Sequence, residues 1–479
     1  MLNSLIKKYL GLSIVVKASL WFTVCNILQK GISMLTVPIF TRMMSIEEYG
    51  VYSVFQSWYN ILIIVVTLNL FAGVLNKGMV KYENDRWGFL SAIQTLSTLT
   101  TGIFFLSFIA FPEIWCSLLG MRKEIILILF FQFFFAPSFM YWSAKQRYEY
   151  NYKSLVIVTI LMSALGPILG IFSVYTMRDR TFGLVFSFGI VQICFGLIFY
   201  IYICGRGKKF YVREYWKYAL AFNLPLIPHY LSQMLLIQSD RIMIDKLVGN
   251  GLAAIYSVAY NVSLIMSLVT NSLVATYIPS LYSDLKNKNV RDIQDRSFTL
   301  NVIVAVLTIA AMLFGPEFIK IFATEEYYQA IWIIPPVAMS VFFNSIYSVF
   351  VNIEFYYEKT KYVMYVTVIL AGLNIILNYI GIKTFGYIAA GYTTFLCYLL
   401  FCVGHYFVYK KMLKSMGVVD EYVKIIDTVK LVVGMVVVMT GCLLVYNVTV
   451  LRYLLIIIIA SVCIWKRKKL LSYNRKLKI

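Results

Sequence analysis

Apolar runs alternate with short polar loops along the whole chain, and most of them reach the roughly 20 residues that a helix needs to span a bilayer. The pattern predicts spans at roughly 18–39, 50–75, 88–110, 124–144, 153–175 and 181–203. After the basic loop Gly205 to Lys217 come roughly 218–239, 252–280, 298–322, 329–353, 362–381 and 385–408. A second basic loop, Lys410 to Lys424, precedes two more at roughly 428–447 and 450–465. The expected organisation is an N-terminal six-helix lobe (1–204), a cytoplasmic linker (205–217), a second six-helix lobe (218–409), and a final segment (410–479). That last segment holds a cytoplasmic loop, two extra helices and a basic tail.

The two sets of six read as one unit written twice. Pro38-Ile39-Phe40-Thr41-Arg42 leaves the first apolar run, and Gly50-Val51-Tyr52-Ser53-Val54 opens the next; Arg241 and Tyr256-Ser257-Val258 repeat this arrangement around Gly249-Asn250-Gly251. Gln146-Arg147-Tyr148-Glu149 resembles Phe355-Tyr356-Tyr357-Glu358, and Thr181-Phe182-Gly183 at the start of span six matches Thr384-Phe385-Gly386 at the expected start of span twelve. Six is an even number, so the halves share one orientation. The fold class is therefore an all-α integral membrane protein of 12 to 14 transmembrane helices, its two six-helix halves related by a pseudo-two-fold along the membrane normal around a central cavity. Transporters commonly place a substrate there.

Composition agrees with the spans: 61% of residues are hydrophobic, 14% are charged and the mean hydropathy is +0.78, outside the range of soluble domains. The net charge of +21 is spread over short loops and forms no arm that could track a phosphate backbone, so nucleic acid is not an expected partner. Lys and Arg concentrate in the even-numbered loops and at the ends of the chain, for example Lys77, Lys81 and Arg86, or Arg206, Lys208, Lys209, Arg213 and Lys217. Both termini are accordingly expected on the cytoplasmic side. No cleavable signal peptide is expected before the first span. The eight Cys show no CxxC, and His229 and His405 stand apart, so no metal site is expected. Without a GxxxxGK[ST] pattern, a GxSxG elbow or a loop long enough for a catalytic domain, neither ATP-driven transport nor an enzyme is expected.

Ionisable residues inside spans are costly and become the candidates. Lys30 lies in the middle of span one, and Ser19, Thr23, Asn26, Lys30 and Ser33 recur at helical spacing, forming one polar stripe. The alignment of Arg42 with Arg241 also pairs Lys30 with His229, each twelve residues earlier, and Pro225 and Pro228 around this His predict a kinked or broken helix. Two cations presented by the two halves would suit an anionic headgroup. The substrate-binding candidates are Asn26, Lys30, Arg42, His229, Asp240 and Arg241. Each has a plainer reading: Lys30 could snorkel, His229 could be a packing residue, and Asp240 and Arg241, placed at the outer end of a span, could anchor helix to loop. Tyr256, Tyr260, Ser263 and Ser267 form a face that could stack on sugars or simply pack.

The motifs Pro38 to Arg42, Glu48-Tyr49-Gly50-Val51-Tyr52, Pro225-Leu226-Ile227-Pro228, Ser239-Asp240-Arg241 and Ile255 to Val258 resemble those of the Wzx-type polysaccharide flippases. Those flippases belong to the multidrug/oligosaccharidyl-lipid/polysaccharide exporter superfamily. The likeness covers essentially the whole chain, with a departure at Asp245, where small residues are usual. It implies a flippase that carries an undecaprenyl-pyrophosphate-linked oligosaccharide repeat unit from the cytoplasmic to the periplasmic leaflet of a bacterial inner membrane, for O-antigen or capsule assembly. The implied partners are that lipid-linked oligosaccharide, membrane lipids and other polysaccharide assembly proteins. No cofactor is implied, and the missing ATP site fits coupling to a proton or sodium gradient. The alternatives are a multidrug exporter of the same superfamily or a membrane polysaccharide polymerase or glycosyltransferase. The basic residues within the spans and the internal repeat count against these.

Overall fold

The computed structural model describes residues 11–418 and 421–465, which form helices and their connections with no strand among them. Among the described residues thirteen helices are long and apolar enough to cross a membrane, and the apolar stretch Thr449–Ile458 is shorter. The chain is a multi-pass membrane protein made of two compact units, residues 1–234 and 235–479.

The first unit contains α1 (Ile14–Met43), α2 (Ile46–Val66), α3 (Val74–Lys81), α4 (Arg86–Ala110), α5 (Pro112–Leu119), α6 (Lys123–Tyr148), α7 (Tyr152–Thr176), α8 (Arg180–Gly207) and α9 (Arg213–Asn223). Local chemistry sets the helix ends. Ser45 and Glu48 form a reciprocal capping box at the start of α2, and Asp179 accepts from the Phe182 amide to cap α8. In lipid the apolar effect does not drive helices together, so close packing and hydrogen bonds must do so. The backbone of α8 accordingly approaches α6 at Gly196, where an added Cβ would lie 2.4 Å from the Phe135 carbonyl oxygen. Trp142 stacks on Phe199 at 4.2 Å in the same seam.

Two spans differ from the pattern-based reading. The second ends at Val66, because the chain turns through Leu68 and Asn69 with positive φ before α3 begins. The seventh starts later and runs further. The linker forms the short amphipathic helix α9, a 3-10 turn covers Leu224–Leu226, and α10 (Ile227–Val248) carries Pro228 in its first turn, where no amide hydrogen is needed. The expected break at Pro225 and Pro228 is thus present, while Asp240 and Arg241 lie well inside α10. Asn223, fully buried at the end of α9, donates from Nδ2 to the carbonyls of Leu68 (2.5 Å) and Asn69 (2.9 Å), satisfying the broken end of α2.

The second unit continues with α11 (Asn250–Lys286), α12 (Val290–Leu313), α13 (Gly315–Phe322), α14 (Ile334–Tyr356), α15 (Thr360–Phe385), α16 (Ala389–Ser415), α17 (Ile425–Val445) and α18 (Thr449–Trp465). Gly249, at φ 110°, makes the break between α10 and α11 that a side chain would strain. Helix α14 is the most enclosed span, packed by α11, α12, α16 and α17.

Packing within the units repeats. The pairs α6/α8, α7/α8 and α4/α6 of the first correspond to α14/α16, α15/α16 and α12/α14 of the second. Arg42 and Arg241 each donate to the carbonyl four residues back, Pro38 at 2.8 Å and Ile237 at 3.0 Å. The turn after α6 recurs after α14 one residue out of the expected register: Tyr150 (φ 55°) matches Glu358 (φ 56°), which aligns Gln146 with Glu354. The third sequence match does not hold in place. Thr181-Phe182-Gly183 lies in the first turn of α8, whereas Thr384 and Phe385 end α15 and Gly386 (φ 78°) is the turn before α16.

Candidate functional site

Inside the second unit the chain has built a polar cluster around one carboxylate. Asp240 on α10 is 0% exposed. Asn378 Nδ2 of α15 donates to its Oδ1 at 2.6 Å, and Thr394 Oγ1 of α16 donates to its Oδ2 at 3.0 Å. The Tyr256 hydroxyl of α11 donates to the same Oδ2. A second layer supports the first: Asn378 also donates to Asn374 Oδ1 at 3.2 Å and accepts from the Thr393 hydroxyl. Four helices therefore meet at one buried carboxyl group.

Arg241, the next residue, is 7% exposed and lies with its guanidinium 4.4 Å from the centre of the Tyr260 ring. Its Nε donates to Ser257 Oγ at 3.1 Å, and Nη1 also donates to Gln238 Oε1 at 3.0 Å. Tyr256, Tyr260 and Ser263 are buried, so the face of α11 considered for sugar stacking faces the core. The carboxylate, amide and hydroxyl oxygens of Asp240, Asn374, Asn378, Thr393 and Thr394 are hard donors carrying one negative charge. That set suits a proton or a monovalent cation better than a divalent ion.

The candidates of the first unit have a different setting. Ser19, Thr23, Asn26, Lys30 and Ser33 are all exposed along α1, as are many apolar residues of the same helix, Trp21, Val24 and Ile27 among them. Lys30 makes no hydrogen bond or ion pair among the described residues, so its charge is uncommitted. Arg42 is exposed at the last turn of the same helix, twelve residues and about 18 Å further along its axis. His229 falls within the first unit, half-buried, its Nδ1 enclosed and without a hydrogen-bond partner.

One pair escaped the sequence reading altogether. His405, read as isolated, meets Glu354 of α14, and both are 0% exposed. The signal was absent because the two are 51 residues apart on different helices, as Asn378 and Thr394 are 138 and 154 residues from Asp240.

Comparison with known proteins fits this architecture. The family described as "Polysaccharide biosynthesis protein" matches residues 15–283, more than half of the chain, and the MatE family matches residues 225–380. A Haemophilus influenzae protein named for the Lsg locus is 24% identical over 378 residues, covering 72% of this chain and 86% of its own length. Among solved structures, the lipid II flippase MurJ in an inward closed conformation superposes with a TM-score of 0.65 at 15% identity, over 93% of this chain and 99% of MurJ. An inward-facing multidrug resistance MATE transporter of the MOP superfamily gives 0.64 at 13% identity, over 82% of this chain and 96% of its own. These neighbours are transporters and flippases, not enzymes. The chain belongs to the polysaccharide biosynthesis protein family, and it is a multi-pass membrane protein with the fold of the MurJ and MATE proteins.

Proposed function

We propose that this protein is a flippase for an undecaprenyl-pyrophosphate-linked oligosaccharide repeat unit, moving it from the cytoplasmic to the periplasmic leaflet of a bacterial inner membrane by alternating access. The product would feed O-antigen or capsule assembly, and other assembly proteins would take it up on the far side. The observation that carries this reading is Lys30: an exposed, uncommitted cation in the middle of a span, within a family of polysaccharide biosynthesis proteins. A charge inside a span is expensive unless it serves an ion or substrate path. A pyrophosphate supplies the anion that would repay it.

In this reading Lys30 is the principal headgroup contact, and Asn26, one turn earlier, hydrogen-bonds phosphate or sugar oxygens. Arg42 and Arg241 raise the local potential, and the half-buried His229 is a secondary contact. Asp240 carries the same sign as the headgroup and is fully enclosed, so it suits the coupling ion, a proton or sodium, better than the substrate. The cytoplasmic placement of both termini follows from the loop charges.

The test is a deletion strain complemented with the intact chain. Loss of surface glycan with accumulation of complete lipid-linked repeat units in the cytoplasmic leaflet is the expected phenotype. If repeat units reach the surface and are merely not joined, polymerisation is the function instead. Unchanged glycan with raised drug sensitivity would favour the multidrug reading, to which the MatE match over 225–380 lends its weight.

A further inference from the structure

Glu354 of α14 and His405 of α16 form a second enclosed ionisable pair in the second unit, and none of the roles above uses it. His405 Nδ1 lies 3.0 and 3.1 Å from the two carboxylate oxygens. The imidazole stacks on Phe401 (centroids 6.0 Å apart, planes at 12°) and packs against Tyr347 at 5.2 Å. Its other nitrogen, Nε2, is buried with no hydrogen-bond partner. Membrane helices can be joined by neutral groups, as Gln132 and Gln192 join α6 to α8 at 3.0 Å. The repeat makes the contrast sharper, since the position of the first unit that aligns with Glu354 is the neutral Gln146.

The charge balance of the pair depends on a single proton. With it, the pair is neutral overall, either as carboxylate and imidazolium or as carboxylic acid and imidazole. Without it, a carboxylate stands enclosed with no cation beside it. Among the described residues no other cation stands beside it: Tyr347 on α14 and Cys402 on α16 are the ionisable neighbours. Two ion pairs lie on the surrounding elements, Asp284 of α11 with Arg296 of α12 at 3.3 Å and Asp295 of α12 with Lys424 just before α17 at 2.6 Å.

Position matters as much as charge. Glu354 is two residues from the end of α14, where its carbonyl accepts from the Lys359 amide at 2.9 Å, and the loop charges assign this end to the cytoplasm. On α16, His405 lies eleven residues beyond Thr394, about 16 Å along the axis from the Asp240 cluster. The pair is thus a separate site, nearer the cytoplasmic surface.

We propose that Glu354 and His405 form a proton-binding site at the cytoplasmic end of the second unit, loaded and emptied once per transport cycle. Loading neutralises the pair and favours the closed packing of α14 on α16; unloading leaves a buried charge that favours a state in which this end of α14 admits water. The proton's role in the cycle rests on the transporter reading, whereas the binding site itself does not.

The experiment uses the full-length chain in lipid nanodiscs, without substrate, and its Glu354→Gln and His405→Asn variants. Each amide can keep the hydrogen bond across the pair, so packing is preserved while the proton can no longer be shared between a carboxyl and an imidazole. Infrared difference spectra recorded during a pH titration should show carboxyl and imidazole bands that change together in the unaltered chain; the carboxyl band should vanish in Glu354→Gln and the imidazole band in His405→Asn, with thermal midpoints little changed. In proteoliposomes, both variants should lose the acceleration of lipid-linked substrate movement by an imposed pH gradient by about tenfold. Persistence of the carboxyl band in Glu354→Gln, or variants that retain the response to the pH gradient, would overturn the proposal. So would an effect confined to thermal stability. Spectra that change as expected while no lipid-linked substrate moves would uphold the site and refute the substrate reading.

Discussion

Asp240 and Thr394, separated by 154 residues, meet at 3.0 Å in the interior of the second unit, and the carboxylate they share with Tyr256 and Asn378 has no exposed surface. An enclosed carboxyl group held only by neutral donors is costly to keep charged, which suits a site that takes up and releases a proton or a cation.

Replacing Asp240 should separate charge from shape. Asp240→Asn preserves the volume and most of the hydrogen bonds and should abolish gradient-driven transport with a small change in stability. Asp240→Ala leaves Tyr256, Asn378 and Thr394 short of a partner, each at a cost of about 1–3 kcal/mol, and should also lower the thermal midpoint. Transport and unfolding measured on the same preparations check both. Full activity in Asp240→Asn would remove this carboxylate from coupling.

The seam between α6 and α8 offers a test of packing alone. Gly196→Ala forces a Cβ onto the backbone of Phe135 and should destabilise the first unit by about 1–3 kcal/mol. Gly205→Ala on the same helix meets nothing within 4 Å and should be neutral or slightly stabilising. Thermal unfolding of the two variants side by side is the measurement.

Asn223→Ala should uncap the broken end of α2. The carbonyl of Leu68 would lose its donor, at about 1–3 kcal/mol if left enclosed, whereas that of Asn69 keeps the Ala72 amide at 3.0 Å. Asn223→Asp removes the amide hydrogens while keeping the shape and should be at least as harmful. Hydrogen exchange at residues 67–73 would localise the effect.

Spans, the break at Pro225 and the turn at Gly249 were legible in the chain because each depends on neighbouring residues: apolar runs, a missing amide hydrogen, a left-handed φ. The stripe through Asn26 and Lys30 was legible for the same reason, as periodicity along a single helix. Failures begin where the deciding contact is remote. The bend after Val66 lies in an apolar run, and its satisfying donor is Asn223, more than 150 residues later. Asp240 and Arg241 could be picked out as charged, yet their burial follows from how far α10 extends and from partners on α11, α15 and α16. Glu354 and His405 each looked ordinary, and their significance comes from meeting.

Lys30 decides the substrate reading most directly. Purified protein, its Lys30→Ala variant and its Lys30→Arg variant can be reconstituted in vesicles loaded with a lipid-linked oligosaccharide, and its appearance in the opposite leaflet timed. Lys30→Ala should lose transport by about a hundredfold, the scale of a buried charge-assisted contact to phosphate, while Lys30→Arg retains a measurable fraction. Equal transport by the unaltered chain and Lys30→Ala would contradict the headgroup role of Lys30 and with it the central claim.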